Sequence, residues 1–136
     1  MLLILLSLLA ESNNLNDERS RIESAVVKYS EYYGVDSKLV GAIIEIESSY
    51  NPRAVGSSHG EIGLMQLRPE FHSCASFEIE KNIACGTRYL AKVRRIKEPD
   101  WGCYWPVAFN YGPYSAIQSP QKTQYWAKLK RSGYVC

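Results

Sequence analysis

Glu47 stands where a carboxylic acid can serve as a proton donor. It lies at the end of Leu39-Val40-Gly41-Ala42-Ile43-Ile44-Glu45-Ile46-Glu47, and positions 40, 43, 44 and 47 repeat with the spacing of one helical face. Glu47 therefore continues the stripe of Val40, Ile43 and Ile44 that should face the interior. Glu45 falls with Lys38, Gly41 and Ser48 on another side, where its charge stays in water. Loss of solvation disfavours the ionised form, raises the pKa and keeps an acid protonated near neutral pH, which is the property a glycosidase acid needs. A helix cap or an ion-pair partner at the edge of the core is the alternative role for such a residue.

Further polar groups of the right type follow. Arg53 to Ile62 is rich in Gly and Ser and reads as a loop directly after the acid, the kind of segment that carries substrate contacts on a scaffold. Glu61, in that loop, is a second carboxylate whose competing role is a solvent-facing acid. His59 and His72 read as loop histidines rather than general bases. Gly63-Leu64-Met65-Gln66-Leu67 begins the next compact segment, closed by Arg68-Pro69.

These residues need helices to position them. Asp17 to Tyr33 is amphipathic, with Ile22, Ala25, Val26 and Tyr29 on one stripe and Gly34 as its stop. Asp36 should cap the helix that bears Glu47, and Tyr50-Asn51-Pro52 should end it. A longer helix is predicted from about Glu80 to Lys97, with Ile83, Gly86, Leu90 and Val93 at helical spacing and Pro99 beyond its end. Gly86 on that stripe suggests the close approach of another backbone. Trp101 to Asn110 is aromatic and apolar until Tyr111-Gly112-Pro113 breaks it. Ser119-Pro120 reads as a helix start and Gly133 as its end. No segment alternates strongly enough for a strand, so the fold class is mainly α, with short helices around one core.

With 136 residues, 46% hydrophobic and 22% charged, the chain suits a single domain. Met1 to Ala10 is almost wholly apolar and too short to span a bilayer as a helix. Residues 1–14 are read as a secretory leader and 15–136 as the functional domain; a buried N-terminal helix or a weak membrane anchor are the alternatives. Three Trp, ten Tyr and three Phe can fill a core or line a sugar-binding cleft. A net charge of +2 is too small to suggest nucleic-acid binding. Lys122, Lys128, Lys130 and Arg131 share a stretch without an acid, and Arg88, Lys92 and Arg95 share one helical face; both could attract an acidic polymer such as a cell wall.

Cys74, Cys85, Cys103 and Cys136 form no C-x-x-C pair, which argues for disulfides in an oxidising compartment and against zinc. Three pairings exist. Cys74 with Cys85 closes a short loop and Cys103 with Cys136 pins the chain end, so that arrangement is favoured over the others, with four buried free thiols as the alternative.

The blocks Glu47-Ser48-Ser49-Tyr50-Asn51-Pro52, Ser57 with Gly60, Gly63-Leu64-Met65-Gln66-Leu67-Arg68-Pro69, Asn82-Ile83 with Gly86 and Tyr89-Leu90, and Ala108-Phe109-Asn110-Tyr111-Gly112-Pro113 resemble, in order and spacing, the lytic transglycosylase (SLT) domain family. The resemblance covers about residues 20 to 131. It implies a lysozyme-like, mainly helical single domain around a glycan-binding cleft, acting on peptidoglycan between N-acetylmuramic acid and N-acetylglucosamine. It implies Glu47 as the catalytic acid and base, and Ser48, Ser57, Met65, Gln66, Asn110 and Tyr125 as substrate-binding positions. The nucleophile would be the muramic acid 6-hydroxyl, so one carboxylate suffices and a 1,6-anhydro ring results; this chemistry requires no metal or organic cofactor.

The sequence also departs from the family's pattern. Phe109 stands where Tyr is usual, Tyr111 where Ala is common, and Glu61 where Ala is typical, and one extra residue lies near Gly56. Glu61 opens the alternative of a hydrolysing muramidase of the goose-type lysozyme kind, given roughly 6.5 to 9.5 Å between the carboxylates. A non-catalytic glycan-binding assembly module is the third reading. The expected partner is the peptidoglycan strand and the expected location is outside the cytoplasm, in the periplasm, cell wall or a phage virion. Secretion, conjugation or phage machinery would be the setting.

Overall fold

The first break in the helical chain falls at Gly34. In the computed structural model, which describes all residues from Met1 to Cys136, α1 (Leu2–Tyr33) runs uninterrupted up to it, although the sequence predicts a helix only from Asp17. No Gly or Pro precedes Gly34, and Leu, Ala and Glu are good helix formers, so nothing stops the apolar residues 2–10 from continuing the ladder. Only the second half is packed: Ile22, Ala25, Val26 and Ser30 are buried, while Met1 to Leu9 are exposed. Gly34 ends α1 in the left-handed conformation, φ 68°, which glycine adopts without a Cβ penalty.

α2 (Ser37–Ser48) starts as expected at Asp36, whose carboxylate accepts from the Lys38 amide at 2.9 Å. Its Leu39, Val40, Ala42, Ile43 and Ile44 are buried. The chain leaves α2 through two successive non-glycine residues at positive φ, Ser49 (50°) and Tyr50 (63°), each an unfavourable conformation that surrounding contacts must hold. Tyr50 supplies such contacts: its hydroxyl donates to the Gly41 carbonyl at 3.1 Å, and the Arg19 guanidinium of α1 lies 3.6 Å above its ring.

α3 (Ile79–Trp101) packs against α1 and the turn that follows it. It outruns its predicted end, with Pro99 inside the last turn rather than beyond it. Burial of Trp101, whose ring also lies 4.3 Å from the Lys97 ammonium, holds that last turn in place. Gly86 does not meet a second backbone as predicted. It admits the Met65 side chain, whose Cβ lies 3.0 Å from where a Gly86 Cβ would stand.

A 3-10 turn, Gly102–Val107, leads into α4 (Ala108–Tyr111). Pro120 opens a separate turn, Pro120–Lys122, and α5 (Gln124–Arg131) begins beyond it, not at Ser119-Pro120. Thr123 decides this, because its Oγ1 accepts from the Trp126 amide at 3.2 Å while Ser119 makes no side-chain cap. With eight residues, α5 is too short to be stable alone; burial of Tyr125, Trp126 and Leu129 holds it against the rest.

Between α2 and α3 the chain makes two isolated antiparallel bridges, Val55 with Ile62 and Ile62 with Leu67, too brief for a sheet. All four cysteines are paired, Cys74 with Cys85 and Cys103 with Cys136. The first ties the loop region to α3 and the second ties the chain end to the turn after α3. The buried side chains of α1, α2, α3, α5 and the Leu64-Met65 segment form one core. No helix is long and apolar enough to cross a membrane.

Candidate active site

Glu47 sits in the last turn of α2, mostly covered, and its Oε2 accepts a 2.9 Å hydrogen bond from the Tyr125 hydroxyl of α5. Burial raises its pKa to about 7, against lowering by the Tyr125 bond and the Lys128 charge; the Glu61 charge adds to the rise. Desolvation of the carboxylate wins because one phenol cannot replace the water that burial removes. Tyr125 is buried, and its own pKa is pushed well above 10 by that burial, then by the neighbouring Glu47 charge and their bond. It stays a phenol, a donor to Glu47 and never a competing base.

Glu45 shows how much the helical face decides. Two residues earlier on α2, it is exposed and lines a groove of about 750 Å³ that also includes Val26, Ala42 and Tyr134. Glu47 is not on that wall.

The loop after Glu47 is clamped by Asn82, fully buried on α3. Its Oδ1 accepts from the Met65 amide at 2.8 Å, and its Nδ2 donates to the Ile62 and Ser76 carbonyls at 3.1 and 2.8 Å. Gly63, at φ 77°, is required there, since a Cβ would run into the Asn82 side chain. The clamp presents Gln66, itself at φ 49°, with its Nε2 donating to the Ala54 and Gly63 carbonyls at 3.1 and 3.0 Å. With the amide nitrogen so engaged, Oε1 is left on the Gly56 side, 3.0 Å from where a Gly56 Cβ would be.

The Glu61 carboxylate occupies the same place, and a Cβ at Gly56 would collide with it. Burial pushes the Glu61 pKa up, but hydrogen bonds from the backbone of Glu61 and His59 and from the His59 side chain outweigh it, so the net shift is downward. The His59 Nδ1 lies 3.3 Å from Glu61 Oε1. Two carboxyl groups within electrostatic reach are thus pushed apart, Glu47 towards the acid and Glu61 towards the carboxylate, the pattern that separates proton donor from permanent charge.

A family model described as Transglycosylase SLT domain matches residues 24–131. The chain belongs to the transglycosylase SLT-domain family. Among curated proteins, an endo-type membrane-bound lytic murein transglycosylase A of Klebsiella pneumoniae is 36% identical over 97 residues, covering 68% of this chain and 45% of that protein. A membrane-bound lytic murein transglycosylase C of Edwardsiella ictaluri is 38% identical over 94 residues, 58% of this chain and 26% of that protein. Another of that name from Actinobacillus succinogenes is 31% identical over 125 residues, 79% of this chain and 34% of that protein. The chain spans less than half the length of each.

Within the SLT domain the residues singled out from sequence fare differently. Glu47 and Tyr125 touch. The Ser48 hydroxyl turns back to its own helix, donating to the Ile44 carbonyl at 3.1 Å. Ser57 is exposed on the loop and Asn110 is exposed on α4. Met65 is fully buried, its side chain filling the space that Gly86 leaves, so it belongs to the core rather than to an open cleft wall. His72 packs edge-on against Tyr89 at 4.5 Å, and burial followed by the Lys92 charge lowers its pKa, leaving a neutral ring in an aromatic stack that continues to Phe109.

Sequence reasoning left Asn82 and Lys128 out of the site. Asn82 had a signal: a lone amide beside the apolar positions Ile79, Ile83 and Gly86 of α3, where a buried polar group must find partners. Lys128 was legible only as part of the basic stretch from Lys122 to Arg131, because only the fold brings its charge to Glu47.

Proposed function

We propose that this SLT domain is a peptidoglycan lytic transglycosylase, cutting between N-acetylmuramic acid and N-acetylglucosamine and leaving a 1,6-anhydro-muramic acid end. The observation that carries the reading is Glu47, an acid with its pKa raised to about 7 and a single phenol bonded to it. Near neutral pH such a group gives a proton readily and takes it back readily.

Protonated Glu47 donates to the glycosidic oxygen as the bond to the anomeric carbon breaks. The resulting carboxylate then takes the proton of the muramic acid 6-hydroxyl as that oxygen closes on the anomeric carbon. The attack is intramolecular, so positioning replaces the second carboxylate that an ordinary glycosidase uses. Tyr125 holds the carboxyl group in one orientation through both steps. Gln66 and Asn82 shape the adjoining loop, Ser48, Ser57 and Asn110 complete the proposed binding set, and Met65 supports that loop from within the core without touching the strand.

Comparison of the wild type with Glu47→Gln on purified peptidoglycan tests the reading. The wild type should release anhydro-muropeptides, and the folded variant should lose nearly all of that activity. Equal release by both proteins would remove Glu47 from its role.

Hydrolysis is the second reading, favoured by one observation: Glu61 stays ionised within electrostatic reach of Glu47 and could activate a water. Mass spectrometry separates the two, because the transglycosylase fragment is lighter than the hydrolytic one by one water. Residues 1–14 serve in this proposal as an export leader ahead of a domain working in the cell envelope. Two disulfides, which persist in oxidising compartments, support that location.

A further inference from the structure

Lys128 acts on Glu47 through its charge, and its side chain has no ion-pair partner of its own. On α5, Tyr125, Trp126 and Leu129 are buried, while Lys128 is exposed. Three residues after Tyr125, it is turned only about 60° from it around the helix, on the side away from Trp126. Tyr125 points at Glu47, so the ammonium belongs to the rim of the site, and its charge is felt by Glu47. Every ion pair in the molecule involves other residues. Arg131, one turn further along the exposed side, is also unpaired, and the stretch from Lys122 to Cys136 contains no acid.

We propose that Lys128 is a specificity-determining residue that receives a carboxylate of the peptide stem carried by the glycan strand. The inference rests on the peptidoglycan reading above and names the part of the substrate that this rim recognises. Stem peptides branch from the muramic acid at the cut, so their free carboxylates pass beside the acid that cleaves the strand. An unpaired cation on the rim attracts them, whereas a neutral rim would grip strands with and without charged stems alike. Lys is suited to the task, because a flexible stem presents its carboxylate over a range of positions that a mobile ammonium can follow.

The test uses the full chain and two substrates: intact peptidoglycan, and the same material with its carboxylates converted to amides by carbodiimide and ammonia. Rates are read at about pH 5, where Glu47 is protonated in either protein and stem carboxylates remain largely ionised. Lys128→Gln should raise KM on the intact material about three- to fivefold, the scale of one exposed ion pair, with kcat little changed. On the amidated material the wild type should lose the same factor and the two proteins should coincide. Lys38→Gln, the same charge loss at the start of α2, should match the wild type on both.

Equal loss by Lys128→Gln on both substrates, or no loss on either, would overturn the inference while leaving the enzymatic reading intact. No product from either substrate with the wild type would overturn the enzymatic reading and this inference with it.

Discussion

The Tyr125 hydroxyl and the Glu47 carboxylate, 78 residues apart in the chain, meet at 2.9 Å and join α5 to α2. The bond opposes the main effect of the site: burial drives Glu47 towards the neutral acid, and the phenol, as a donor, favours the charged form. Tyr125→Phe removes only the second influence. The alkaline limb of kcat/KM, which follows the acid form of Glu47 near pH 7, should therefore move to higher pH by up to about one unit, with a roughly tenfold lower maximum from the lost orientation. A limb that moves down or stays put would contradict the opposition of the two effects.

Glu47→Gln should also change stability in a pH-dependent way. The folded-state pKa is raised to about 7 from 4.5, so the native state holds the proton more tightly than the unfolded chain. The associated stability is fully present below about pH 4.5 and is lost as pH rises through about 7. The Gln variant, always neutral, should match the wild type near pH 4 and exceed it at pH 9 by on the order of 3 kcal/mol. Urea unfolding at the two pH values measures it.

Glu61→Gln should shift activity in the opposite sense to Tyr125→Phe. The Glu61 charge contributes to the raised Glu47 pKa, alongside burial and against Tyr125 and Lys128. Its removal lowers that pKa, so the alkaline limb moves to lower pH. Glu45→Gln, on the exposed side of α2, should leave the profile unchanged, and a shift there would mean that the face assignment is wrong.

Asn82→Ala should destabilise the domain by about 3 kcal/mol, since three hydrogen bonds disappear and their buried backbone partners are left unmade. Thermal or urea unfolding reads the loss directly. A change of under about 1 kcal/mol would show that the loop from Ile62 to Met65 keeps its shape without the clamp.

Peptide mapping without reductant should recover Cys74 linked to Cys85 and Cys103 linked to Cys136, with no alkylatable thiol. Replacing Cys103 and Cys136 together by Ser should cost about 4 kcal/mol, the scale for a crosslink between residues 33 apart.

Much of the fold was legible in local patterns. The Ile22, Ala25, Val26 stripe, the Gly34 stop and the Asp36 cap all occur as read, because each depends on a few neighbouring residues. The failures also have local causes. Residues 2–16 contain no helix breaker, so α1 extends back to Leu2. Pro99 is tolerated where Trp101 is buried, and Thr123 takes the cap that Ser119-Pro120 suggested. Gly56 and Glu61 fit each other, because the Glu61 carboxylate lies where a Gly56 side chain would be.

The amino-acid sequence by itself determined that Glu47, and not Glu45, faces the interior at the end of an apolar stripe, because helical period is a local property. It also placed Gly63 and Gln66 in one compact segment. Only the tertiary structure decided that a phenol from the far end of the chain bonds to that acid, that Asn82 holds the loop, that Met65 fills the core, and that the charge of an unpaired Lys128 acts on the same acid. Those relations join residues separated by many turns of chain, and packing alone brings them within reach.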